Sequence, residues 1–193
     1  MTDGTGRVLI AGVGNIFLGD DGFGVQVAER LAKRDLPAGV LVGDYGTSGM
    51  HLAYDLAEGI DTAILVDAVP RGGRPGTVYV IEPALPATQA AGTAGPAPAA
   101  AFFDGHGMQP DVVLSMLGTL GGQVGQVLIV GCEPASVDYG IGLSPQVAAA
   151  VDEAVKVVLR LIGADEGDEA DEADEGEEQE SGGNDAGRND PSS

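Results

Sequence analysis

The sequence contains few of the residue types that carry several common kinds of protein chemistry. It has one cysteine, no tryptophan, two histidines and only nine basic residues in a chain of 193. A single cysteine, Cys132, can build neither a disulfide framework nor a cysteine-based zinc site within one chain. With 30 acidic residues the net charge is −21, which argues against nucleic acid and anionic membranes as partners. We therefore expect a protein of a reducing compartment that binds neither.

Targeting signals and unbroken apolar segments are also lacking. The N-terminus is acidic where a signal peptide would be basic, and the apolar run Val8–Val13 is too short for the core of one. Two uncharged stretches, 83–103 and 112–132, are long enough to cross a bilayer, but prolines interrupt the first and glycines the second. We expect a cytoplasmic protein with no membrane partner.

Apolar runs and helical stripes alternate along most of the chain. Five segments are predicted to be buried strands: Val8–Val13, Val40–Asp44, Ala63–Val69, Thr77–Ile81 and Val127–Cys132. Four segments have helical spacing: Gly22–Arg34, Ser48–Glu58, Pro110–Leu120 and Pro145–Ile162. This order predicts a three-layer α/β/α sandwich with a five-stranded, mostly parallel sheet. Only seven residues, 70–76, join the third strand to the fourth. Since a parallel crossover needs more, one strand, the fourth, is predicted to run antiparallel.

One α/β domain is predicted over residues 1–163, with two segments of different composition. Residues 83–103 are rich in alanine and proline, and we expect a flexible loop there. Residues 164–193 contain 13 acidic residues, one basic residue and no apolar periodicity. We predict that this acidic tail is disordered, because it has no apolar face to bury.

Titratable side chains follow the carboxyl ends of the predicted strands, where open α/β sheets bind ligands. Asp20 and Asp21 follow the first strand, Asp67 lies near the end of the third, and His106 lies in a later loop. Two carboxylates and an imidazole are ligands that first-row divalent metals accept. Each residue also has a structural interpretation, since Asp20 or Asp21 could cap the following helix, Asp67 could bond its own turn, and His106 could be a solvated loop residue. The residues by themselves leave both interpretations open.

Other kinds of site have weaker support. The run Gly12–Gly14 after a strand is the start of a dinucleotide fingerprint, but Phe17 stands where the third glycine belongs. Two aspartates at the helix start would also repel a pyrophosphate. Cys132 ends a buried strand with no histidine near it in sequence, and the G-x-S-x-G and H-E-x-x-H motifs are absent. His51 lies in an apolar helical segment and is interpreted as structural. A small nucleotide-binding protein of the flavodoxin type stays an alternative.

Six short motifs follow one another between residues 7 and 162. They are Gly12–Asn15 with Gly19–Gly24, Asp44–Gly49, Val66–Ala68, His106 before Pro110, Gly131–Pro134, and Gly140–Pro145. In this order they resemble the nickel–iron hydrogenase maturation endopeptidases. The resemblance implies an α/β/α sandwich with one antiparallel strand, in agreement with the topology predicted above.

The resemblance also implies an activity and a set of site residues. Such proteases trim a C-terminal peptide from the precursor of a hydrogenase large subunit after nickel insertion. Their nickel-recognising residues carry over by motif to Asp21, Asp67 and His106, as metal ligands and catalytic residues. The first of these positions is often glutamate in the family, so Asp20 stays an alternative to Asp21.

On this interpretation the nickel is carried by the substrate and is not a permanently bound cofactor. It would either polarise the scissile carbonyl or activate water, and a carboxylate general base is the competing possibility. The partner would be the large-subunit precursor, and we expect a monomeric enzyme. The alternative function is a nickel-sensing chaperone that binds the large subunit without cutting it.

Overall fold

A computed structural model describes residues 6–83, residue 113 and residues 120–164. The predicted loop lies outside this range from residue 84 onward, as do His106 and residues 165–193 of the predicted tail. Of the predicted helix 110–120 only Val113 and Leu120 are described, and Val113 is helical and buried.

In the described ranges the strands are β1 (Val8–Val13), β2 (Val40–Gly46), β3 (Thr62–Ala68), β4 (Val78–Ile81) and β5 (Gln126–Cys132). The helices are α1 (Phe23–Leu31), α2 (Gly49–Ala57) and α3 (Pro145–Leu161), and a 3₁₀ turn, Gly19–Gly22, precedes α1. The largest difference from prediction is the end of α1. The N–H groups of Lys33 and Arg34 donate to carbonyls three residues back, so the chain leaves the helix in tighter turns.

The five strands form one sheet in the order β2-β1-β3-β5-β4. The pairs β1–β2, β1–β3 and β3–β5 are parallel. Strand β4 runs antiparallel to β5, with Val78 opposite Cys132 and Ile81 opposite Ile129. The predicted sheet, mostly parallel with one antiparallel strand, is thus confirmed.

Helices cover both faces of this sheet. The face that carries Ile10 and Val130 packs against α1 and α3. The opposite face, which carries Leu9 and Ile129, packs against α2 and Val113. Because neighbouring residues of a strand point to opposite faces, two cores require apolar residues at successive positions. None of the described helices is both long and apolar enough to cross a membrane.

Helix α1 packs directly on the backbone of the sheet because glycines stand at the contact. A Cβ on Gly24 would lie 2.0 Å from the carbonyl oxygen of Val66 and 2.4 Å from that of Val13. A Cβ on Gly12 would lie 2.4 Å from the carbonyl oxygen of Gly24. No side chain fits at either glycine. This contact brings the 3₁₀ turn before α1 to the carboxyl ends of β1 and β3.

The order of the strands reverses at β1, and this reversal makes a crevice at the carboxyl ends of β1 and β3. From β1 the chain passes through α1 to β2, and from β2 it returns through α2 to β3 on the other side of β1. The pairing of β1 with β3 ends at Gly12 and Val66, whereas its pairing with β2 continues to Val13, opposite Gly46. Such a reversal of strand order is where open α/β sheets bind ligands.

Candidate active site

Two carboxylates flank the crevice between β1 and β3. Asp21 lies in the 3₁₀ turn and is 9% exposed, and Asp67 is the first residue of β3 beyond its pairing with β1. Burial, and after it the charge of Asp21, raise the pKa of Asp67 from 3.8 to about 8. The Ala68 N–H donates to Asp67 Oδ1 over 2.8 Å, and this hydrogen bond lowers the pKa of Asp67. The two acids therefore interact electrostatically.

This interaction makes the crevice suited to a cation. A carboxyl whose pKa is near 8 is largely protonated at neutral pH, so the pair does not carry its full negative charge when no cation is present. A divalent ion would replace the proton and remove the repulsion between Asp21 and Asp67. Metal binding at such a pair strengthens as the pH rises, because the ion and the proton compete for the same oxygen atoms.

Asp20 has a different role from Asp21, although the two are adjacent in sequence. It is 1% exposed, and its Oδ2 accepts hydrogen bonds from the N–H groups of Ala135 and Ser136 at 2.8 and 3.1 Å. Ser144 donates to it twice, from its N–H to Oδ1 at 2.6 Å and from its hydroxyl to Oδ2 at 3.0 Å. Four donors thus surround this carboxylate. Asp20 joins the 3₁₀ turn to the loop after β5 and to the start of α3.

Helix capping, the structural interpretation of Asp20 and Asp21, is wrong. The residues at the N-cap of the 3₁₀ turn and of α1 are Leu18 and Gly22, and neither cap has a side-chain hydrogen bond. Ser144 does stand at the N-cap of α3, but its hydroxyl donates to Asp20 instead of accepting from its own helix. Of the two neighbouring acids, Asp21 is the one whose charge raises the pKa of Asp67.

The glycine-rich loop after β1 folds around Asp21. The Asn15 N–H donates to Asp21 Oδ2 over 2.6 Å, and Asn15 Oδ1 accepts the N–H of Phe17 at 3.0 Å. Gly14 has a φ of 124°, and a Cβ there would lie 1.8 Å from the carbonyl oxygen of Asp21. The loop can approach Asp21 this closely only with glycine at position 14.

Glu133 is a buried acid whose role sequence reasoning missed. It is 5% exposed, and it accepts the N–H groups of Arg71 and Gly72 and the hydroxyl of Tyr79 at 2.8 to 3.0 Å. Burial by itself would raise its pKa, but the N–H groups of Arg71, Gly73 and Gly72 and the Tyr79 hydroxyl lower it. Glu133 therefore holds the connection between β3 and β4. A glutamate placed directly after a buried strand was the available signal.

The remaining candidates have mixed outcomes. Cys132 is fully buried, and burial, followed by the charges of Asp20 and Glu133, raises its pKa to about 12. The predicted burial of Cys132 is thus confirmed, and a buried thiol with a raised pKa is a poor nucleophile. His51 is exposed on α2 and lines an open cleft of about 490 Å³, so it is not the core residue that its apolar neighbours suggest.

Within the described residues, no three His, Cys, Asp or Glu side chains converge in a metal site. His106, the third predicted ligand, lies outside those residues.

Comparison with known proteins points to one family. The model of the family described as hydrogenase maturation protease matches residues 25–161. The hydrogenase 2 maturation protease of Escherichia coli is 35% identical over 159 residues, which cover 79% of this chain and 88% of that protein. The hydrogenase expression/formation protein HupD of Rhodobacter capsulatus is 34% identical over 161 residues, covering 82% of this chain and 72% of that protein.

Solved structures agree with the sequence comparisons. The hydrogenase maturating endopeptidase HybD of E. coli matches with a TM-score of 0.66 at 32% identity, covering 81% of this chain and 92% of that one. The hydrogenase 2 maturation peptidase of a Thaumarchaeota archaeon matches with a TM-score of 0.60 at 30% identity, covering 82% and 99%.

Replacing Asp20 by asparagine should lower the free energy of unfolding by about 2 kcal/mol, because an amide nitrogen would then face buried N–H donors. Urea denaturation followed by circular dichroism measures this loss. The matched control is Asp21→Asn, which makes the same chemical change one residue away and should alter stability by less than about 1 kcal/mol. Equal losses in the two variants would contradict the assignment of Asp20 as the structural acid.

Asp67→Asn should make the protein more stable at high pH. The folded protein keeps the Asp67 proton up to about pH 8, whereas the unfolded chain releases it near pH 3.8. The folded state therefore binds more protons in this window, and the stability due to Asp67 falls as the pH rises through it. The variant's advantage should grow between pH 4 and pH 8 to on the order of 1 kcal/mol or more. Urea denaturation in metal-free buffer at each pH tests this. An advantage that does not change with pH would contradict the raised pKa.

Proposed function

The chain belongs to the hydrogenase maturation protease family, a family of peptidases, and from that membership we propose which bond it cuts and when. It removes the C-terminal extension of a nickel–iron hydrogenase large subunit after nickel has been inserted. The observation that carries this proposal is the placement of both acids at one edge of the sheet, with Asp21 in the 3₁₀ turn that contacts β3 and Asp67 directly beyond the β1–β3 pairing. The substrate-bound nickel is the feature that this pair recognises.

Recognition of nickel in the substrate follows from the charges of the crevice. Asp21 and Asp67 repel each other when both are ionised. A precursor that brings a divalent ion between them relieves this repulsion, and His106, which the family resemblance implies as a ligand, would supply a third, nitrogen ligand. A precursor without nickel brings no such compensation, and it binds more weakly for that reason. The enzyme therefore distinguishes loaded from empty precursor by the cation itself.

Two routes lead from this complex to hydrolysis. In the first, the substrate's nickel polarises the scissile carbonyl or activates the attacking water, and the acids hold the ion in place. In the second, one carboxylate accepts the proton of the water as a general base. The proposal includes a monomeric enzyme that acts in the cytoplasm, in keeping with the buried free thiol of Cys132.

The nickel-recognising trio is tested by cleavage of a purified large-subunit precursor, loaded with nickel or free of it, and followed on a gel. His106→Ala and Asp67→Asn should each slow cleavage of the loaded precursor by about 100-fold or more, since even the loss of an outer partner of a metal costs 10- to 100-fold. His51→Ala is the matched control, because it removes the other histidine of the chain at an exposed position. This control should cut at the wild-type rate.

Equal cutting of nickel-free and nickel-loaded precursor, or normal cutting by the His106 variant, would rule out recognition through nickel. A wild-type protein that binds the loaded precursor and never cuts it would instead support the chaperone alternative.

A further inference from the structure

Two neighbouring loops expose a group of large apolar side chains. One loop follows β1 and carries Ile16 and Phe17, and the other follows β5 and carries Val137, Tyr139 and Ile141. We call these five residues the loop patch. Tyr139 is 94% exposed, Ile141 82% and Phe17 58%. In the described ranges, the patch holds five of the eleven exposed large hydrophobic side chains. Such concentrations on a surface mark interaction sites.

Backbone hydrogen bonds fix the two loops to each other. Leu18 and Gly140 form an isolated parallel bridge. Around it the Gly19 N–H donates to the Gly140 carbonyl over 2.9 Å, and the Gly140 N–H donates to the Phe17 carbonyl over 3.0 Å. The Asp20 N–H donates to the Ser136 carbonyl over 3.1 Å. The backbones that carry Phe17 and Tyr139 are therefore held in place.

A buried carboxylate beneath the loops explains why the apolar side chains stay outside. The carboxylate of Asp20 accepts N–H groups of Ala135 and Ser136, directly before Val137. The Ser136 hydroxyl in turn donates to Asp138 over 2.7 Å. Ser136 and Asp138 are themselves exposed, so the group buried beneath these loops is the Asp20 carboxylate, which offers the apolar side chains no apolar core to pack against. Because the backbone is already ordered, little conformational entropy would be lost when a partner covers the patch.

The loop patch borders the acid pair. Asn15, whose N–H donates to Asp21 Oδ2, directly precedes Ile16. Ile16 itself packs over the 3₁₀ turn, since a Cβ on Gly22 would lie 3.2 Å from Ile16 Cα. A protein that places a metal ion at Asp21 therefore also meets the patch.

We propose that the loop patch is the docking surface for the folded body of the nickel-loaded precursor. This inference rests on the proposed function and adds the surface through which the substrate is bound. A second copy of this chain is the less suitable occupant for two reasons. Association of two copies through the patch would cover the loop that holds Asp21, and each copy carries a net charge of −21. The exposed phenylalanine, tyrosine and isoleucine are of the size and rigidity that carry binding energy at protein interfaces.

The test replaces Phe17, Tyr139 and Ile141 by serine, singly and together. The matched control, Met50→Ser with Tyr54→Ser, removes two side chains of similar exposure, 52% and 53%, from α2. Binding is measured by interferometry with nickel-loaded precursor, in a background carrying Asp67→Asn so that little product forms, and each patch variant is compared with Asp67→Asn alone. Cleavage is measured separately in the wild-type background.

Each single change should weaken binding about 10-fold and the triple change at least 100-fold. In cleavage the KM should rise by similar factors, while kcat at saturating precursor stays unchanged. The α2 control should alter neither quantity. Thermal unfolding of each variant checks that the fold is kept, and we expect no loss of stability from these surface changes.

The outcomes separate this inference from the proposed function. Unchanged binding and KM in the triple variant would overturn the docking surface while leaving the protease assignment intact. A wild-type dimer that the triple change converts to a monomer would assign the patch to a second copy and would also overturn it. Patch-dependent binding without any cleavage by the wild type would support the docking surface and overturn the proposed reaction. Absence of binding in every protein, the wild type included, would overturn both.

Discussion

The buried carboxylate of Asp20 is the interaction on which the functional end of this fold depends. It accepts hydrogen bonds from Ala135, Ser136 and Ser144, and so holds together the 3₁₀ turn, the loop after β5 and the start of α3. A buried charge is tolerated only where donors surround it, and removal of the acid would leave those donors without their acceptor. The same turn carries Asp21, and the joined loops carry the loop patch. One structural acid thus positions both Asp21 and the surface around it.

The acid pair is held together by packing and not by its own electrostatics. Gly24 lets α1 lie against the carbonyl oxygen of Val66, and the residue after Val66 is Asp67. Apolar burial on both faces of the sheet keeps the helix there, although the charge of Asp21 raises the pKa of Asp67 and so opposes the ionised pair. Repulsion between like charges at a functional site commonly lowers the stability of the fold. A group positioned for binding or catalysis is rarely in its most stable environment. In the proposed function, a cation brought by the substrate would offset this cost.

Much of the fold is predictable from the sequence because it depends on local features. Only part of the site is predictable, because the rest depends on contacts between distant segments. Continuous apolar runs predict strands covered on both faces, and the short connection 70–76 predicts the antiparallel β4, because both are local features. The separate roles of Asp20 and Asp21 are not predictable in this way. Neighbouring residues of a tight turn point in different directions, and the donors around Asp20 lie more than a hundred residues further along the chain. The environments of Glu133 and His51 are likewise not predictable from the local sequence, because non-local packing determines what each of them contacts.

The central claim of this account is that Asp21 and Asp67 become ligands of a nickel ion that arrives in the substrate. Nickel K-edge X-ray absorption of the loaded precursor, alone and in a stoichiometric complex frozen within the first turnover, tests it directly. The account predicts that complex formation adds oxygen and nitrogen ligands to the nickel, and that the added oxygen signal is smaller when the complex is made with Asp67→Asn. Identical spectra for free and bound precursor, in samples where binding is demonstrated, would contradict it.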